Sequence, residues 1–133
     1  MTAPSVRPQL PVWSAAMSTP TTIYHVCRRT EWQYAQTTGV YRGSSQDEAD
    51  GFIHFSGPAQ VEASVAKHRA GQDGLLIIAA DPQLLGDALK WEASRGGQLF
   101  PHLYAPLPLA AVKWVADLPL DPGGTHVFPA IED

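Results

Sequence analysis

The chain has a single cysteine, Cys27, which rules out an internal disulfide framework or a cysteine-based zinc knuckle and fits a reducing, cytoplasmic setting. Charge is sparse as well. Asp, Glu, Lys and Arg make up 17% of the 133 residues, below the ~25% usual for soluble domains, whereas 44% hydrophobic residues are enough for a core. Nine Lys and Arg against thirteen Asp and Glu leave a net charge of −4, which argues against non-specific capture of a nucleic-acid backbone. No apolar run approaches the ~20 residues of a membrane-spanning helix, the longest being Leu75 to Ala80. Neither Gly-x-Gly-x-x-Gly nor Gly-x-x-x-x-Gly-Lys occurs, which removes both common phosphate-loop patterns.

What the chain has in quantity is proline and glycine, twelve and eleven residues, and this predicts short elements joined by tight turns. Met1 to Pro20 holds Pro4, Pro8, Pro11 and Pro20 and no periodic apolar pattern. Residues 1–20 therefore read as a disordered extension, with Trp13 its one candidate for docking, and residues 21–133 as a single domain. Thr22 to Cys27 reads as a strand with Ile23, His25 and Cys27 on one face and Tyr24 and Val26 on the other. Thr30-Glu31-Trp32-Gln33 reads as a capping box opening a short helix that Gly39 ends. Val40 to Asp50 reads as a loop around one short extended piece, with Asp47, Glu48 and Asp50 solvated.

Gly51 to Ser56 reads as a strand with Phe52, His54 and Ser56 facing one way and Ile53 and Phe55 the other. Ser56-Gly57-Pro58 is a helix-start signal, and the helix should run to about Arg69 with Val61 and Val65 buried. Leu75 to Ala80 is a central strand buried on both faces, and Leu89 to Ser94 a half-exposed one. Arg95-Gly96-Gly97 turns the chain. Phe100 to Pro108 carries too many prolines for a central strand and reads as an edge or site-lining segment. Val112 to Leu118 is a last strong strand, and Thr125 to Phe128 a candidate for one more. The sum is an α+β domain, mostly antiparallel, with two short helices.

Histidine carries the chemistry. His68, late in a helix, and His126, after a Gly-Gly turn, read as structural. His25, His54 and His102 each interrupt an apolar or aromatic segment, where an imidazole needs a hydrogen-bond partner or a ligand to offset its desolvation. Three such rings favour a shared pocket over three separate core contacts. A zinc site with an open fourth position is compatible with three histidines, but no His-x-His or His-x-x-x-His pair presets two ligands, and no metal is expected. Cys27, among apolar neighbours, reads as an inert small hydrophobe.

Several segments occur in a telling order: Ile23-Tyr24-His25, Trp32, Asp50 to Ser56, Asp81-Pro82 with Leu85-Gly86, Lys90-Trp91-Glu92, and Phe100-Pro101-His102-Leu103-Tyr104-Ala105-Pro106-Leu107. Together they resemble the DUF952 family over residues 22–129, with Ala105 where that family more often has glycine. The resemblance implies an ADP-ribosyltransferase-like fold, in which two small, mostly antiparallel β-sheets flank a cleft for NAD or a related small-molecule nucleotide. It implies that His25, His54, Phe55 and Ser56 bind the substrate, His25 on ribose hydroxyls, and that Phe55 or Tyr104 stacks on a flat ring. The late segment supplies His102 and Tyr104, with Glu92 the nearest carboxylate, as the catalytic set. The activity implied is NAD-dependent transfer of ADP-ribose to an acceptor that the sequence does not name. Two alternatives stay open: a non-catalytic nucleotide-binding or regulatory module, and a three-histidine metal-dependent hydrolase.

Overall fold

The computed structural model describes residues 20–94 and 97–132. The expectations for the N-terminal extension and for Trp13 lie outside the described residues, as do Arg95 and Gly96 of the predicted turn. In chain order the elements are β1 (Ile23–Arg28), α1 (Arg29–Thr38), β2 (Val40–Tyr41), α2 (Ser45–Asp50), β3 (Ile53–His54) and α3 (Val61–His68). There follow β4 (Leu75–Ala80), β5 (Leu89–Ala93), β6 (Leu99–Leu103), β7 (Leu107–Pro108) and β8 (Val112–Leu118). The class is α+β, and every strand pairing is antiparallel.

The described residues form three small sheets, ordered β1-β4-β8, β2-β7 and β3-β6-β5, where two were expected. β4 is central and buried throughout, as its continuous apolar run predicts. One face of the first sheet presents Ile23, Cys27, Leu76 and Ile78 to a core completed by Trp32, Phe55, Leu103 and Leu107. The other face packs Tyr24, Leu75 and Ile77 against Val61, Val65 and Leu118. The period of two along β1 therefore sends His25 inward with Ile23 and Cys27.

Among the described residues three α-helices form, where two were expected, because the acidic stretch is not a solvated loop. Ser44 and Asp47 cap each other: Ser44 Oγ accepts from the Asp47 N–H at 3.2 Å, and Asp47 Oδ2 accepts from the Ser44 N–H at 2.8 Å. That reciprocal pair opens α2 and turns Asp47 inward, to 3% exposure. α1 begins one residue before Thr30, since the Arg28 N–H is taken by the Glu31 carboxylate at 2.8 Å, and it ends at Gly39 as predicted. α3 begins at Val61 and not at Pro58. Ser56 is used elsewhere, exchanging two backbone bonds with Tyr24 at 2.7 and 2.8 Å.

Pro101 lies in the middle strand of its sheet and not at an edge, although its segment does line a groove, the other of the two readings expected for it. The reason is local. β3 pairs with β6 only through Ile53–Leu103 and His54–His102, so the side of Pro101 that lacks an N–H faces the point where β3 has ended. Its carbonyl is still used, accepting from the Phe55 N–H at 2.9 Å. Thr125 to Phe128 forms no strand and contributes one bridge, Leu120 to His126.

Candidate functional site

The β3–β6 register sets His54 directly opposite His102, so both imidazoles leave the same face of the sheet. Their ring centroids are 5.4 Å apart, edge to face. Each ring is fixed through Nδ1 by a carboxylate. His54 Nδ1 donates to Asp47 Oδ1 at 2.6 Å, and His102 Nδ1 donates to Glu92 Oε1 at 2.7 Å. A carboxylate only accepts, so each ring carries a proton on Nδ1, and Nε2 of His54 lies 3.4 Å from Asp50 Oδ2. Phe52 locks the pair from the side, stacked on His102 at 4.2 Å and tilted against His54 at 4.5 Å and Tyr104 at 5.2 Å.

Behind His54 lies a second layer. His25 is buried, its Nδ1 donating to the His54 carbonyl at 2.5 Å and its Nε2 accepting from the Tyr41 hydroxyl at 2.7 Å. Burial holds this imidazole below the usual histidine range against the nearby charge of Asp47, 3.5 Å away, so it stays neutral. Burial alone would push Asp47 up, but the hydrogen bond from the His54 ring and the backbone N–H groups of Ser44 and His54 outweigh it. The carboxyl is held at about 2. The Tyr41 hydroxyl is raised by burial, and burial pushes the Cys27 thiol up to about 12, which fits an inert role for that cysteine.

Glu92 is the meeting point on the other side. The Tyr104 hydroxyl donates to Oε1 at 2.7 Å, to the same oxygen that takes the His102 proton, and Oε2 has no protein partner among the described residues. Those two bonds, that of Tyr104 first, lower the Glu92 carboxyl below its ordinary range. A groove of about 920 Å³ opens over this face, bordered by His54, Ser56, Gln60, Phe100 and His102. A smaller hollow of about 330 Å³, which includes Phe52, Tyr104 and Arg42, lies on the Tyr104 side.

The structure thus brings together His54, His102, Glu92 and Tyr104, with Ser56 along the groove. His25 and Phe55 border the same groove from behind the exposed rings: both are buried, and Phe55 packs on His25 with centroids 5.5 Å apart. With both its nitrogens spent on protein, His25 does not share a vacant coordination point with the other two rings. Among the described residues no three His, Cys, Asp or Glu side chains are grouped to hold a metal ion. Sequence reasoning missed Asp47, Phe52 and Tyr41. The Ser44-x-x-Asp47 spacing was the available signal for the first; nothing local marks Tyr41 as the partner of His25. His126 is structural, its Nε2 donating to the Gln72 carbonyl at 2.7 Å.

No curated protein matches the sequence. Among solved structures, the crystal structure of protein CC0527 from Caulobacter crescentus is similar with a TM-score of 0.77 and 47% identity, covering 80% of this chain and 94% of that one. Its solution NMR structure is similar with a TM-score of 0.71 and 48% identity, covering 79% and 90%. Residues 26–115 match the family model described as a protein of unknown function, DUF952. Those residues span the second half of β1 through the middle of β8 and include both carboxylate-held histidines, so the chain belongs to the DUF952 family.

Proposed function

We propose that the protein is an ADP-ribosyltransferase-like enzyme that binds NAD or a related nucleotide in the groove beside His54 and His102 and cleaves the bond between nicotinamide and its ribose. The observation that carries this reading is Glu92. Breaking a glycosidic C–N bond builds positive charge on the anomeric carbon, and an oriented carboxylate stabilises that charge where it forms. Glu92 is anionic at neutral pH, is oriented through one oxygen by His102 and Tyr104, and keeps the other oxygen for a ligand.

Two further features support the reading. The groove is bordered by residues of β1, β3 and β6 together with residues of α2 and α3, an arrangement compatible with a cleft beside two small antiparallel sheets. Its size also suits a small-molecule nucleotide. In this reading Tyr104, 43% exposed, is the aromatic surface for a flat ring, because Phe55 is occupied in the core. His25 braces His54 from behind and does not touch ribose.

The test is titration calorimetry with NAD together with a nicotinamide-release assay on the parent protein and on Glu92→Gln. The parent should bind and cleave NAD. Glu92→Gln should bind with affinity within a few-fold of the parent and turn over about 100-fold more slowly, because the charge it answers exists mainly in the transition state. A parent that binds NAD without cleaving it is a binding module; a parent that does not bind it overturns the proposal.

A further inference from the structure

We infer that His54 is the base that takes a proton from the acceptor, and that the acceptor is therefore a hydroxyl group or water. This rests on the reading of the groove as an NAD-cleaving site. His54 has the geometry of a poised base. Its Nδ1–H is committed to Asp47 at 2.6 Å, so the lone pair of the neutral ring is on Nε2, beside the carboxylate of Asp50 at the edge of the groove. The side chain is 44% exposed and borders the groove. Asp47 cannot swing aside, since its two oxygens also accept from the Ser44 N–H at 2.8 Å and the His54 N–H at 3.2 Å. When Nε2 gains a proton, the imidazolium lies between Asp47 and the Oδ2 of Asp50, 3.4 Å from Nε2. His102 is differently placed: only 10% of its side chain is exposed, and its carboxylate partner is Glu92, shared with Tyr104.

The acceptor class follows from what one positioned imidazole accelerates. A carboxylate or thiolate arrives already anionic and has no proton to lose. A guanidinium has no lone pair to offer until it is deprotonated, which an imidazole does poorly given a guanidinium pKa above ~12. A hydroxyl or water oxygen attacks first and sheds a proton that grows more acidic as the bond forms. The step balances. The acceptor oxygen bonds to the anomeric carbon, the C–N bond breaks with its electron pair returning to the nicotinamide nitrogen, and the acceptor proton passes to His54 Nε2. Neutral nicotinamide leaves.

Azide separates these roles, because it is a nucleophile with no proton to remove. In His54→Gln, nicotinamide release in water should fall about 100-fold while NAD still binds. Sodium azide should restore release and yield the ribosyl azide. Glu92→Gln should not be restored. The substitution leaves the His54 carbonyl in place for His25, and a melting curve with His54→Asn as second variant guards against misfolding. Parental release rates in both His54 variants, or a loss that azide does not restore while NAD still binds, overturns the base role alone. A parent protein that releases no nicotinamide with water or azide overturns the reading of the groove and this inference with it.

Discussion

His54 and His102 are direct cross-strand partners, and Phe52 touches both rings from outside the ladder. The pair is therefore held by register below and by an aromatic clamp at the side. Phe52→Ala is expected to lower stability by about 2 kcal/mol, roughly half the cost of deleting a fully buried phenylalanine, because Phe52 is half-buried. Urea unfolding measures it. An unchanged midpoint would mean that the clamp adds nothing.

Gly43 guards Asp47. Its φ is +96°, and a Cβ there would lie 2.7 Å from the Asp47 Cβ and 3.1 Å from Cγ1 of the buried Ile53. Gly43→Ala should cost about 2 kcal/mol or more through the left-handed backbone and the clash together. It should also push Asp47 off His54. Nitrogen-15 shifts of the His54 ring report that directly: loss of the fixed Nδ1–H tautomer is expected, and a wild-type tautomer would count against the contact.

Tyr41→Phe keeps the ring and deletes the donor to His25 Nε2, leaving a buried acceptor unsatisfied. A loss of about 1–3 kcal/mol is expected by chemical denaturation. Combining it with His25→Leu, which has no acceptor to orphan, should recover part of that loss. Strict additivity of the two would show that the hydroxyl and the imidazole act independently.

Acid should weaken the fold in two steps. Burial depresses His25 below the ordinary histidine value of 6.5, so the unfolded chain binds a proton that the folded chain refuses. Stability from this group is whole above pH 6.5 and declines as pH falls below it. Asp47, held at about 2 against an ordinary aspartate value of 3.8, gives a second contribution, whole above 3.8 and lost as pH falls towards 2. That second step is on the order of 2 kcal/mol. Urea unfolding across the acid range checks both, and Asp47→Asn should abolish only the lower step.

Alternation in β1 and β3 was readable from residue types alone, and it set the faces of Ile23, His25 and Cys27 and of Phe52 and His54 correctly. Asp47 was hidden by its company, because a run of acids looks solvated until one of them turns inward to cap a helix. Pro101 was misplaced because a proline is excluded from a middle strand only where its missing N–H has a partner to lose. The bond from Tyr41 to His25 and the diagonal reach of Glu92 to His102 depend on which strands meet, and that is decided by the packing of three sheets.

Among the described residues, two backbone bonds between Tyr24 and Ser56 are the whole of the ladder between the β1-β4-β8 sheet and the chain leaving β3. The joint does not rest on them alone: the bond from the His25 ring to the His54 carbonyl and the core shared by Ile23, Cys27, Phe55 and Leu103 rivet the backs of the two sheets together. The groove is therefore a preformed slot, its walls held by close packing from behind.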